Sequence, residues 1–144
     1  MWSLDNSLGF LMTRAARGMK RVLDAKLAKH NLTSTQYIVL ARLWEGDGIS
    51  ITELCDRLAL DNPTLTGIVD RMERDGSLER RRDGDDRRVV NVYLTEKGRS
   101  LRQAVGSFAE ETDAEAWKEF TAPDRKAMID TLNLIWTKMS ESLD

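Results

Sequence analysis

Apolar residues recur along most of this chain with the 3.6-residue period of an α-helix, and with period two over one short stretch. From Leu8 the positions Leu11, Met12, Ala15, Met19, Val22, Leu23 and Leu27 form one stripe, with Arg14, Arg17, Lys20 and Arg21 on the other faces. Thr33-Ser34-Thr35-Gln36 reads as a capping box that opens a second helix through Tyr37, Val39, Leu40, Leu43 and Trp44. Gly46-Asp47-Gly48 ends it, and Ile49 should contribute a short strand. Ser50-Ile51-Thr52-Glu53 has the same capping signature and starts a short helix with Ile51, Leu54 and Leu58 inward, Cys55 beside them. Asp61 or Asn62 can cap the helix that follows, and Pro63 suits its first helical position. Leu65, Ile68, Val69 and Met72 share its inner face, and Asp75-Gly76 should stop it. A helix from Thr95 is expected to run to about Phe120 through Leu101, Val105, Phe108 and Trp117. Pro123 opens the last helix, with Met128, Ile129, Leu132, Ile135, Trp136, Met139 and Leu143.

The polar positions give this framework a chemistry. Opposite the apolar face of the 61–75 helix lie Thr64, Thr66, Gly67, Asp70, Arg71 and Arg74. Short side chains and a glycine in the first two turns let a helix backbone sink into a major groove, and its N-terminus favours phosphate. Together with the short helix before it, this makes a helix-turn-helix signature. Two strand-like runs then flank the turn Asp83-Gly84-Asp85-Asp86, crowded by Arg80, Arg81, Arg82, Arg87 and Arg88. A hairpin with a cationic tip is suited to lie along a nucleic-acid backbone or to push an arginine into a minor groove. Taken alone, it is also readable, as the weaker alternative, as a solvated hairpin whose arginines pair with Asp83, Asp85 and Asp86; the helix-turn-helix upstream weakens that alternative further.

At this point the chain resembles the MarR family of multiple-antibiotic-resistance-type transcriptional regulators. The resemblance is carried by Asn62-Pro63-Thr64-Leu65-Thr66, by Val69-Asp70-Arg71-Met72-Glu73 with Gly76, by Asp86-Arg87-Arg88 as the Asp-x-Arg motif of the wing, and by Leu94-Thr95-Glu96-Lys97-Gly98. Residues 61–98 are its specific part; the outer helices match by length and apolar pattern. The implied fold is mainly α with a small β-wing: a single domain over 1–144, with a winged helix-turn-helix at 33–99 and dimerisation helices at 1–32 and 100–144. The implied function is a homodimeric repressor reading a two-fold symmetric site in double-stranded DNA, joined through the first, fifth and sixth helices. Asn62, Pro63, Thr64, Thr66, Gly67, Arg71, Arg74, Arg87 and Arg88 are the expected DNA contacts. Arg88, which alternates with a Val89/Val92 pattern expected to be buried and matches the motif arginine, is assigned to the minor groove, Arg87 to a phosphate, and Asp86 to holding the wing. A small aromatic, phenolic or anionic ligand is expected between the first, second and fifth helices, with Leu11, Arg14, Ala15, Tyr37, Leu40 and Trp44 as candidate pocket residues.

Composition narrows the alternatives. A net charge of -2, from 22 basic and 24 acidic residues, argues weakly against a nucleic-acid binder until its distribution is considered. Residues 71–102 hold ten Lys/Arg against seven Asp/Glu, a local net of +3, whereas 103–144 hold four against nine, a net of -5. Exposed charges are screened beyond about 8–10 Å, so only the surface facing DNA needs to be basic. No apolar run reaches membrane-spanning length, and Met1-Trp2-Ser3 leads into an amphipathic pattern without a signal peptide, so a cytoplasmic protein is expected. The single cysteine, Cys55, excludes an intrachain disulfide and reads as a core residue; relatives that sense peroxide carry theirs near the N-terminal helix. His30, the sole histidine, lacks a metal-ligating cluster and is expected to cap the first helix. Trp2, Trp44, Trp117 and Trp136 could line a pocket for an aromatic ligand, but most of them read as core or dimer packing. No phosphate-cradling loop, nucleophile motif or cofactor signature appears, and Glu110-Glu111 fit a solvated helical face, so no enzyme is expected. Two further readings stay open. One is a DNA-binding architectural or antagonising regulator without ligand sensing, the other a winged-helix module that binds protein.

Overall fold

The computed structural model describes all 144 residues. The elements are α1 (Leu8–Leu27), α2 (Ser34–Glu45), β1 (Ile49–Ser50), α3 (Ile51–Leu58), α4 (Asn62–Arg74), β2 (Leu78–Arg82), β3 (Val90–Leu94), α5 (Glu96–Val105), α6 (Phe108–Ala116) and α7 (Ala122–Glu141). The three strands form one antiparallel sheet in the order β1-β3-β2. Its register sets Ile49 and Arg80 on either side of Val92. This is a mainly helical winged helix-turn-helix. The chain divides into two compact units, Met1–Ala109 and Glu110–Asp144.

The core of the first unit forms where three helices meet the inner face of the sheet. Val39, Leu40 and Leu43 of α2, Leu54 of α3, and Leu65, Ile68, Val69 and Met72 of α4 pack with Leu78, Val92 and Leu94. A smaller cluster joins Leu27, Tyr37 and Val105. Helix starts follow the caps read from sequence. Thr33 and Gln36 form a reciprocal box, and the Asp61 carboxylate takes the Thr64 N–H at 2.8 Å, leaving Pro63 one place inside Asn62. At Ser50 only half of the expected box forms. Its hydroxyl accepts from Glu53 N–H, while the Glu53 carboxylate pairs with Arg57 at 2.5 Å instead of turning back. The turn between α3 and α4 passes through Ala59 in the left-handed region, φ 54°.

Three expectations need correction. The helix expected from Thr95 to Phe120 breaks after Val105, and α6 begins at Phe108. Gly106 weakens helical continuity there. The Tyr37 hydroxyl occupies the break, donating to the Gly106 carbonyl at 2.9 Å and accepting from Ala109 N–H at 3.4 Å. A side chain inserted into the main-chain ladder is a physical cause of such a break. His30 does not cap α1. A short 3-10 turn, Ala28–His30, follows it and Asn31 closes that turn in the left-handed region at φ 56°. The His30 ring instead stands edge-on to Phe108, 5.7 Å between centroids. The buried alternation in the second wing strand falls on Val92 and Leu94, leaving Val89 half-buried and outside the strand.

The motif residue Gly98 has a packing reason. A Cβ on Gly98 would stand 2.2 Å from the Ser77 carbonyl oxygen. The start of α5 docks against the turn after α4: Thr95 N–H donates to Ser77 O at 3.1 Å and its hydroxyl to Gly76 O at 2.6 Å. Trp44 then donates its indole N–H to Gly98 O at 2.9 Å.

In the second unit, Thr121 and Asp124 form a capping box at the start of α7. None of the twenty residues of α7 is buried. Met128, Ile129, Leu132, Trp136 and Met139 are 39% to 59% exposed. No helix is long and apolar enough to cross a membrane.

Candidate nucleic-acid interface

The outer face of α4 and the hairpin β2–β3 enclose a groove of about 450 Å³ lined by Ser50, Thr52, Asn62, Thr66, Arg80 and Arg88, among others. The apolar stripe of α4 is consumed by the core, so its other face is turned outward by default. Asn62, Pro63, Thr64, Arg71 and Arg74 are exposed, and Thr66 and Gly67 are half-buried. The two threonine hydroxyls are oriented by their own helix: Thr64 donates to the Asp61 carboxylate at 2.9 Å and Thr66 to the Asn62 amide oxygen at 3.0 Å. Each keeps lone pairs that accept. Hydrogen bonds from the Thr64 N–H and hydroxyl hold the Asp61 carboxyl below the ordinary carboxylate range.

Asp86 organises the tip of the wing. Its carboxylate accepts from the Arg88 backbone N–H at 3.0 Å and from the guanidinium Nε and Nη2 at 3.1 and 3.2 Å. Those hydrogen bonds, the side-chain ones foremost, hold the Asp86 carboxyl below its usual range. Asp83 N–H donates to Val89 O at 2.9 Å and closes the loop. Arg88 emerges from this scaffold with its side chain 91% exposed. Arg87 is also exposed, and its carbonyl accepts from Arg82 Nη1 at 2.8 Å.

The five arginines around the turn therefore separate into two groups. Arg87 and Arg88 stand at the tip. Arg81 lies over the Tyr93 ring at 4.3 Å, Arg82 braces the turn, and Arg80 is held against α4 by Asp70 and Glu73. Sequence reasoning grouped all five as a cationic cluster and missed Arg80. The signal was present: on β2 the period of two puts Arg80 on the face of the buried Leu78. Ser50 and Thr52 were also missed as groove residues, because helix membership does not reveal which helix start meets a wing.

The six candidate ligand residues do not share one environment. Leu40 is fully buried in the main core, and Arg14 lies over the Phe10 ring at 5.5 Å. Tyr37 and Trp44 do meet, edge to face at 5.8 Å, but their polar atoms are bonded to main chain at Gly106, Ala109 and Gly98. Leu11 is half-buried and Ala15 exposed. None of the six lines a cavity of about 390 Å³ bounded by His30, Leu32, Gln36, Met72, Lys97 and Leu101 together with Asn31, Asp75 and Ser77. Burial pushes the Cys55 thiol upward and the nearby carboxylates of Asp56 and Asp61 add to it, which disfavours the reactive thiolate. No group of His, Cys, Asp and Glu is arranged to hold a metal ion.

The model of the MarR family matches residues 32–90. The HTH-type transcriptional regulator TtmR of Methylorubrum extorquens strain PA1 is 38% identical over 130 residues, spanning 90% of this chain and 66% of that protein. The organic hydroperoxide resistance transcriptional regulator of Bacillus subtilis strain 168 is 37% identical over 100 residues, spanning 69% of this chain and 68% of that protein. This chain thus spans about two thirds of the length of each. Among solved structures, Bordetella bronchiseptica BpsR, described as regulated in its DNA binding by 6-hydroxynicotinic acid, superposes with a TM-score of 0.86. Its identity is 25%, over 94% of this chain and 96% of that one.

Proposed function

The chain belongs to the MarR family of transcriptional regulators, and from that premise we propose that it acts in the cytoplasm as a homodimeric repressor that a small aromatic or anionic ligand releases from a pseudo-palindromic DNA site. The observation that carries the DNA reading is the outward row Asn62, Thr64, Thr66, Gly67, Arg71 and Arg74, opposite the buried face of α4 and beside a wing whose tip offers Arg87 and Arg88. The threonines and Asn62 suit base edges, Arg71 and Arg74 suit phosphates, and Arg88 suits the narrow minor groove beyond. Two copies would set two α4 helices in successive major grooves about 34–36 Å apart.

The dimer reading rests on the apolar surface of α7 and of the N-terminal stretch, where Trp2, Leu4 and Leu8 are exposed. For the ligand, the cavity beside Lys97 offers apolar walls from Met72 and Leu101 and one ammonium, which donates to the Asp75 carbonyl at 2.7 Å and keeps two further N–H groups for an aromatic acid. A regulator without ligand sensing is the second reading. It is favoured by the commitment of Tyr37, Leu40 and Trp44 to packing and main-chain hydrogen bonds. Calorimetry with aromatic acids separates the two: heat of binding that is lost on Lys97→Met supports the sensor.

Selection of bound duplexes from a random DNA pool at physiological salt tests the main reading. Enrichment of a two-fold symmetric sequence with half-sites one turn apart is the expected result. A folded protein that enriches no sequence would overturn it.

A further inference from the structure

Arg80 is the wing arginine whose guanidinium is spent on the recognition helix α4. Its Nη1 donates to Glu73 Oε1 at 2.9 Å; its Nη2 donates to the Asp70 carboxylate and reaches the Thr66 carbonyl at 3.4 Å. The backbone N–H of Arg80 donates to the other oxygen of Glu73 at 2.7 Å. Since β2 is an edge strand, this N–H points away from β3, and the Glu73 carboxylate covers that stretch of the open edge. The Arg80 side chain is 24% exposed, against 91% for Arg88.

We infer that Arg80, Asp70 and Glu73 form a positioning clamp that fixes the wing relative to α4, so that both engage one stretch of duplex; this rests on the DNA reading above. Two carboxylates against one guanidinium leave the cluster net negative within a surface assigned to phosphates. By Coulomb's law alone that weakens DNA binding, so the cluster serves the interface through geometry. The main-chain link between α4 and β2 is short and turns at Gly76, φ +85°. A five-residue strand at about 3.3 Å per residue puts the wing tip about 17 Å from this joint, so a tilt of about 10° would displace it by about 3 Å. That is enough to lift Arg88 out of a groove. The guanidinium suits the task because its planar fork meets two acceptors one helical turn apart, which an ammonium does not do with fixed geometry.

The clamp and a direct phosphate contact predict opposite signs for one experiment. Binding of the selected operator is measured from 50 to 200 mM salt for wild type, Asp70→Asn/Glu73→Gln, Arg80→Lys and Arg80→Ala, with folding checked by thermal melting. Removing two negative charges from a phosphate-facing surface would tighten binding if electrostatics alone mattered. The clamp predicts the reverse: Asp70→Asn/Glu73→Gln binds on the order of tenfold more weakly, with an unchanged salt slope. Arg80→Lys fails to restore wild-type affinity, and Arg80→Ala adds little further loss in the Asp70→Asn/Glu73→Gln background. Should Arg80→Ala not fold, the Asp70→Asn/Glu73→Gln variant carries the test by itself. Unchanged or tighter binding by that variant, or a slope reduced by about one on Arg80→Ala in either background, overturns the clamp. Wild type that binds no duplex overturns the DNA reading and this role with it. That result is distinct from wild-type binding that the variants leave intact.

Discussion

The winged module and the C-terminal arm both carry helical apolar stripes, and they end in opposite states. In the module, Leu65, Ile68, Val69 and Met72 are at most 3% exposed, because three helices and a sheet converge on them. In the arm, α7 carries Met128, Leu132, Ile135 and Met139 at the same kind of spacing and buries none of them. Amphipathic periodicity thus states that a face needs covering; it does not state what covers it. The module covers its own, while the arm retains an apolar surface of the kind that a second copy would bury.

Breaking the covered face should give the largest effect. Leu65→Ala leaves a cavity in the main core and should cost about 2–5 kcal/mol, read by chemical denaturation. Breaking the uncovered face should act on assembly instead. Leu132→Asp should weaken self-association by about 2–4 kcal/mol, seen as a shift toward monomer in sedimentation, while the module keeps its circular dichroism. Unfolding of the module by that variant would count against a role of Leu132 in assembly alone. On the DNA-facing side, Arg88→Ala should weaken specific binding by about 1–3 kcal/mol. An unchanged isotherm would count against the wing assignment. At the break between α5 and α6, Tyr37→Phe removes the hydroxyl bridging Gly106 and Ala109 and should cost about 1 kcal/mol, with faster hydrogen exchange at the Ala109 amide.

The smallest effect concerns pH. The native Asp86 carboxyl is held below its unfolded value by Arg88, so its stabilising contribution is present above the ordinary carboxylate range. That contribution is lost as pH falls through the depressed native value. A carboxyl titration by NMR should find the midpoint depressed, and Arg88→Ala should return it toward the ordinary value.

Much of the module was legible from sequence, for local reasons. Thr33 with Gln36, Asp61 with Thr64, and Gly76 each act within a few residues, so the chain alone exposes them. The break at Gly106 was hidden because its agent, Tyr37, lies 69 residues away in sequence. Arg80 was misread as part of a cationic tip for the same reason, since its partners Asp70 and Glu73 belong to another element. Likewise, the candidate ligand residues were chosen by helix membership, and packing sent Leu40 into the core and Tyr37 and Trp44 to main-chain carbonyls.

By itself the sequence determined the starts of α2, α4 and α5, the end of α4 at Asp75-Gly76, and the buried stripe of α4 with its outward polar row, because periodicity and capping are short-range properties of the chain. Only the tertiary structure decided which arginines are drawn away from the wing tip and which stay exposed there, where the long helix breaks and which cavity opens beside Lys97. Those outcomes depend on hydrogen bonds and close approaches between residues far apart in sequence, and no local pattern encodes such meetings.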